Sequence, residues 1–332
     1  MSSNTQCIYR DFFPIQKKPN RILRAIRNLC VPRRIRKRND FERNLLIKSQ
    51  VYEKWTIFLK DYFDGELEKF EILPKKQLNN EKIIWQYWGQ GVDQNLPEIV
   101  KICFSSIDLY KGEYTVIRLD DHNLHEYIEL PDFIREKRQN SEFKHAFFAD
   151  LLRLALLNAY GGIWMDATIL LTSEINHELL EQDFFMFHRS DSAVSKQSWE
   201  HFNSNYFGWS DRHKVNVLNS FIISKKNNNI VNICLDIMLN FWKTQNSIPH
   251  YFFFQIMFDV LKNKFLEKND FLIVDDTLPH LLQLKLNEKF NSNEYKEIIN
   301  LVNIHKMTYI SNYDHDTYYG YLKKTFMGNE LE

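Results

Sequence analysis

The stretch FKHAFFADLLRLALLNAYGGIWMDATILLT, residues 143–172, decides how this chain is read. Phe143, Phe147, Leu151, Leu154 and Leu157 share one side of a helix, and Phe148, Leu152, Ala155, Leu156 and Ala159 share the other. That spacing predicts a helix over 143–160 that is buried nearly all round. Gly161-Gly162 stops it, with one glycine expected in the left-handed region. Ile163-Trp164-Met165 then forms a short strand that presents Asp166 at its end.

A carboxylate and a guanidinium inside such a helix need compensation. Asp150 and Arg153 stand three apart, so they share an edge and can pair. A structural ion pair is one reading. In the other the pair faces a cleft, where Asp150 accepts the hydroxyl protons of a bound sugar and Arg153 offers its fork to phosphate or sugar. Their place just before the glycine turn favours the second. Asp166-Ala167-Thr168 adds a carboxylate and a hydroxyl. A divalent cation bridging a diphosphate takes oxygen ligands and keeps several waters, so Asp166 and Thr168 suffice as a protein contribution.

Outward from this stretch the rhythm is α/β. KIIWQYW (82–88) predicts a strand, GQGVDQNLP a loop, Pro97–Leu109 a helix, and EYTVIRL (113–119) a second strand followed by a helix across His122–Ile128. Alternation of this kind implies a mostly parallel sheet whose ligands bind beyond the carboxyl ends of its strands. Gln86 to Gly91, Asp120-Asp121 and Asp166 fall there. Asp120-Asp121 suits either a ribose contact or a cap for the next helix. Further strands are expected at 183–188 and 205–209, a segment around Val217–Ser224, and helices over Asn229–Trp242 and 250–261. FLIVDD (271–276) and a helical stretch to about 303 complete the pattern. The aromatic run at 249–261 reads mainly as core, with a sugar-stacking platform as the alternative.

The net charge of zero conceals an asymmetry. Residues 1–38 hold eleven Lys or Arg and one acid, +10, so the remainder carries −10. Arg21, Arg24 and Arg27 interleave with Ile22, Leu23, Ile26 and Leu29, which predicts a basic amphipathic helix ended by Pro32. Such an arm fits an anionic membrane surface, with a solvated or disordered arm as the alternative and nucleic acid, for which no binding fold is recognisable, as a weaker third. Residues 40–70 read as a helical preface. The four cysteines lie far apart, and no signal peptide or membrane span is evident, which points to a cytoplasmic setting, peripheral at the inner face of the membrane.

The run from Ala149 through Arg153, then Tyr160-Gly-Gly-Ile-Trp-Met-Asp166-Ala-Thr168, resembles glycosyltransferases similar to glycosyltransferase family 32, in the branch of bacterial capsular polysaccharide synthesis. IIWQYWGQG (83–91) resembles that family's opening strand and loop. The resemblance implies a GT-A fold: a Rossmann-like α/β domain, a mixed sheet flanked by helices, here with an N-terminal helical extension. It implies a UDP-sugar donor, with Trp85, Gln86, Tyr87 and Trp88 near the uridine, Gly162 and Lys306 on the donor, and Asp150 and Arg153 on sugar and diphosphate. Asp166 stands for the first acid of the DXD motif, with Thr168 where the second would be. His305 would join them around Mn2+ or Mg2+, and Lys306 would neutralise the leaving group. Retention is implied. Inversion would need a base, for which Asp211, His250 and Asp259 are the candidates, although His250 also suits a cap on the aromatic helix.

The expected organisation is a membrane-docking arm (1–38), a helical preface (39–80), a glycosyltransferase domain (81–312) and a tail (313–332). The expected reaction passes a hexose, galactose or glucose, to a lipid-diphosphate-linked oligosaccharide. A toxin-like enzyme acting on protein and a non-catalytic scaffold are the alternatives.

Overall fold

The computed structural model describes residues 9, 12–14, 20–79, 81–93, 95–141, 143–267, 272–310 and 313–328. Most of the arm before residue 20, the start of the 271–276 segment and the last four residues of the tail therefore lie outside the described residues. A five-stranded sheet runs in the order β2-β1-β3-β6-β5, from β1 (Ile83–Tyr87), β2 (Thr115–Leu119), β3 (Gly162–Met165), β5 (Phe184–His188) and β6 (Val217–Ser224). A two-stranded sheet pairs β4 (Ile169–Leu171) with β7 (Ile304–Lys306).

β1 is parallel to β2 and β3, while β6 is antiparallel to both β3 and β5. The sheet is thus mixed, not mostly parallel. All five side chains of β1 are buried, as a strand covered on both faces requires.

The longer helices are α1 (Arg21–Cys30), α2 (Arg33–Phe63), α3 (Glu98–Tyr110), α4 (His145–Tyr160), α5 (Asn229–Thr244), α6 (Phe253–Lys264), α7 (Ser292–Leu301) and α8 (Tyr318–Met327). α4 carries the apolar surface expected of it and packs on α5 and the sheet. α2 buries Leu45, Lys48, Val51, Trp55, Phe58, Leu59 and Tyr62 at steps of three and four, and lies along α6. It starts immediately after Pro32, so the basic cluster at 33–38 forms its first turns. The boundary drawn between arm and preface at 38/39 therefore falls inside one helix.

Two other expectations need correcting. The helix across His122–Ile128 is only a single turn at Leu124–Glu126, because Asp120 caps the bend itself, accepting from the amides of His122 and Asn123. Residues 205–209 form no strand. The carbonyls of Tyr206 and Gly208 accept instead from the guanidinium of Arg189 at 3.1 Å each.

Gly161 and Gly162 have φ of +74° and +101°. A Cβ on Gly162 would lie 2.5 Å from the carbonyl oxygen of Ile83, and one on Gly161 would lie 2.6 Å from the amide nitrogen of Lys226. The pair lets helix turn into strand while β3 closes on β1. Gly162→Ala is expected to destabilise the fold by at least about 1–3 kcal/mol from the backbone conformation alone. Urea denaturation measures it, and an unchanged midpoint would refute this role.

Among the described residues two apolar cores result. The larger joins α2, α4, α5 and α6 to the main sheet. The smaller gathers α3, α7 and α8 around Leu170 and Met307 and supports the β4–β7 pair. The residues placed in the tail thus close a core, with Tyr318, Tyr319 and Leu322 buried in it.

Candidate active site

The carboxyl ends of β1 and β3 meet the start of β6 at a hollow of about 360 Å³. Asp166 leaves β3 there, with its amide donating to the Ser220 carbonyl at 2.8 Å. Its Oδ1 accepts from Trp164 Nε1 at 2.8 Å and from Arg153 Nη2 at 3.1 Å. Its Oδ2 accepts from Lys306 Nζ at 3.2 Å. Lys306 also donates to Thr168 Oγ1 at 2.8 Å. The β4–β7 register brings this lysine in, with Ile169 opposite Lys306 and the Met307 amide donating to the Thr168 carbonyl.

Arg153 is the hub. Its Nη1 lies 2.9 Å from Asp150 Oδ1 and donates to the Asn219 carbonyl at 2.8 Å, and its face lies over the Trp164 ring. At 3% exposed it is committed to protein partners, which corrects the expectation of a free fork for phosphate. It holds Asp150 and Asp166 in place. Burial alone would raise the Asp166 carboxyl, but Lys306 and then Arg153 outweigh it and keep it below the ordinary value. Burial wins at Asp150, which is raised to about 6 despite Arg153.

The sign of that shift gives a prediction. A carboxyl whose folded pKa exceeds its unfolded one binds its proton more tightly when folded, so it weakens the fold as pH rises from about 4 to about 6. Wild-type protein is expected to lose stability across that window relative to Asp150→Asn, in thermal melts at stepped pH. Parallel curves would contradict it.

The walls are aromatic and amide. Tyr87, Trp88, His145, Tyr251 and Tyr309 line the hollow with Asn219 and Gln255. Asn219 donates to Asp150 Oδ1 and accepts from Gln255 Nε2, both at 2.9 Å. Tyr87 bonds Asp121, which also pairs with Arg138. Of the two acids considered at 120–121, Asp120 thus caps the turn while Asp121 braces the site wall. In the aromatic run 249–261 Phe253, Phe254 and Phe258 are core, whereas Tyr251 is 62% exposed and lines the hollow.

Asp150, Arg153, Asp166, Thr168, Tyr87 and Trp88 therefore come together, with Lys306 anchored to two of them. Others do not. Trp85 is wholly buried, donates to the Gly161 carbonyl at 3.0 Å and packs on Tyr127 and Tyr160, because its strand is covered on both faces. Gln86 is equally buried and accepts from Arg118 Nε at 3.0 Å. Gly162 serves the turn. His250 accepts from the Phe252 amide through Nδ1 at 3.0 Å, a bond within the turn ahead of α6, which has no side-chain cap. Asp259 bonds Asn216 and Asn263 and, with Asp211, borders a separate polar hollow.

His305 is also removed from the expected ligand set. It alternates with Lys306 along β7, so its ring turns to the other face, fully buried with Nε2 3.1 Å from Thr172 Oγ1. The remaining donors fit a divalent cation poorly. Asp166 uses both oxygens on Arg153, Trp164 and Lys306, and the Thr168 hydroxyl is engaged by the same ammonium. Among the described residues no group of three or more His, Cys, Asp or Glu converges as a metal site.

Asn219 and Gln255 were missed, although each left a signal: a lone amide in an apolar run, VLNSFIIS and FFFQIMF. His145, Tyr251 and Tyr309 carry no such mark.

The family model described as capsular polysaccharide synthesis protein matches residues 34–325. The chain is 27% identical over 180 residues to the O-glycosyltransferase PaGT of Phomopsis amygdali. That match covers 52% of this chain and 41% of the relative, less than half of the latter's length. The solved PaToxG Glycosyltransferase aligns at a TM-score of 0.35 and 14% identity, over 78% of this chain and 95% of that one.

Proposed function

The chain belongs to the family of capsular polysaccharide synthesis proteins, and we propose that it is a glycosyltransferase of GT-A type acting in polysaccharide assembly. The donor is a UDP-sugar carrying a hexose, galactose or glucose, and the acceptor a lipid-diphosphate-linked oligosaccharide. One observation carries this reading: Asp150, Arg153, Asp166 and Thr168 line a hollow walled by Tyr87, Trp88, Tyr251 and Tyr309, and Lys306 bonds to two of them, Asp166 and Thr168. Aromatic faces suit a base and sugar rings, and paired cations and carboxylates suit diphosphate and hydroxyls.

In this reaction the bond from the anomeric carbon to the diphosphate oxygen breaks, and its electron pair leaves with the diphosphate. The acceptor oxygen forms the new bond. With retention, its proton passes to the departing diphosphate, so no strong protein base is needed. The buried Arg153 fixes Asp150 and Asp166, a preorganisation that acts without rearrangement during the reaction. The test is release of nucleoside diphosphate from a panel of nucleotide-sugars by purified protein. Release from none of them, with or without lipid-linked acceptor, would overturn the reading.

α1 supports a place at the membrane. Ile22, Leu23, Ile26 and Leu29 are 51–87% exposed, beside Arg21, Arg24 and Arg27. No helix among the described residues is long and apolar enough to cross a bilayer. Docking onto anionic lipid adds about 1 kcal/mol per basic residue. Sedimentation with phosphatidylglycerol vesicles is expected for the intact chain and lost in Ile22→Ser/Ile26→Ser/Leu29→Ser. Equal sedimentation of both would refute it.

A further inference from the structure

We propose that the Lys306 ammonium, anchored by Asp166 and Thr168, is the resident cation for the donor's diphosphate, so that donor binding requires no divalent metal. This rests on the donor class given above, and the experiment below separates the two.

Asp166 and Thr168 stand where an oxygen-ligated cation would be held, and both of their free oxygens converge on one atom. Lys306 Nζ lies 3.2 Å from Asp166 Oδ2 and 2.8 Å from Thr168 Oγ1. An ammonium has three N–H donors. Two go to these oxygens, and the third remains for a ligand on a side chain that keeps 22% exposure. Arg153 is nearly fully buried, and its contacts run to Asp150, Asn219 and Asp166. Arg153 orients the two acids, whereas Lys306, bonded to Asp166 and Thr168 at the edge of the hollow, keeps part of its side chain open.

A divalent ion would have to displace the lysine from both oxygens and then sit beside two fixed positive charges. Its other expected ligand, His305, faces away into the core. Position 168 offers a hydroxyl rather than a second carboxylate, which satisfies an ammonium but gives a divalent cation little charge. Lys306 is itself tied to the fold, since β7 pairs with β4 directly after Thr168. The cation is therefore part of the chain.

The experiment is calorimetric titration of the full chain with UDP, and with GDP, CDP and ADP as alternatives, in EDTA and again in excess Mn2+. Binding of one nucleotide with equal affinity in both buffers is expected. Lys306→Ala is expected to weaken that binding by about 10- to 100-fold, and Lys306→Arg to restore part of it. Titration of Mn2+ alone is expected to give no heat of binding. A rise of about tenfold or more in wild-type affinity with Mn2+, or an unaltered affinity in Lys306→Ala, would overturn the proposal and leave the glycosyltransferase reading standing. Absence of nucleotide binding in both buffers would overturn both.

Discussion

Asp166→Asn is expected to lower the rate of sugar transfer by at least about 100-fold while leaving the protein folded. The carboxylate accepts from Arg153 through one oxygen and from Lys306 through the other. An amide presents a single acceptor oxygen and turns an NH2 group toward one of the two cations, so one of them loses its anchor. Asp150 then loses its register as well, because Arg153 positions both acids. Initial rates of nucleoside diphosphate release, with circular dichroism as the control for folding, measure the effect. A rate near that of the wild type would remove Asp166 from the chemistry.

The largest effect on stability is expected at a distance from that hollow. Arg189 and Asp276 pair at 2.6 Å between Nε and Oδ1 and at 2.9 Å between Nη2 and Oδ2, with side chains 3% and 0% exposed. Tyr206 Oη donates to the same carboxylate at 2.9 Å. Asp276→Ala strands a buried guanidinium and is expected to cost about 3–5 kcal/mol. The double substitution Arg189→Met/Asp276→Leu removes both charges and is expected to recover part of that loss, the remainder reflecting the Tyr206 and Gly208 carbonyls left without their donor. Neither residue lines the candidate active site, so kcat should hold wherever the variants remain folded. Chemical denaturation of the three proteins decides it. A double variant no more stable than Asp276→Ala would contradict the argument.

The central stretch was legible because its signals are local. An apolar helix, a glycine pair and an acid at a strand end leave few alternatives, and Asp150, Arg153 and Asp166 share the hollow accordingly. The same logic failed where partners are distant in sequence. The family resemblance implies Trp85 and Gln86 near the uridine, but strand burial on both faces carries them into the core. Residues 205–209 have a strand's composition, yet Arg189 takes their carbonyls. The resemblance implies that His305 and Lys306 serve one site together, whereas alternation along β7 sends them to opposite faces. No local pattern reveals Tyr309 or His145.

We place a nucleotide-sugar's diphosphate at Lys306 and Asp166. A crystal structure of the protein soaked with the nucleotide it binds tests this most directly. Phosphate oxygens within hydrogen-bonding distance of Lys306 Nζ are expected, with the base in the hollow lined by Tyr87 and Trp88. Nucleotide bound in ordered density elsewhere on the molecule, with Lys306 still closed on Asp166 and Thr168, would contradict it.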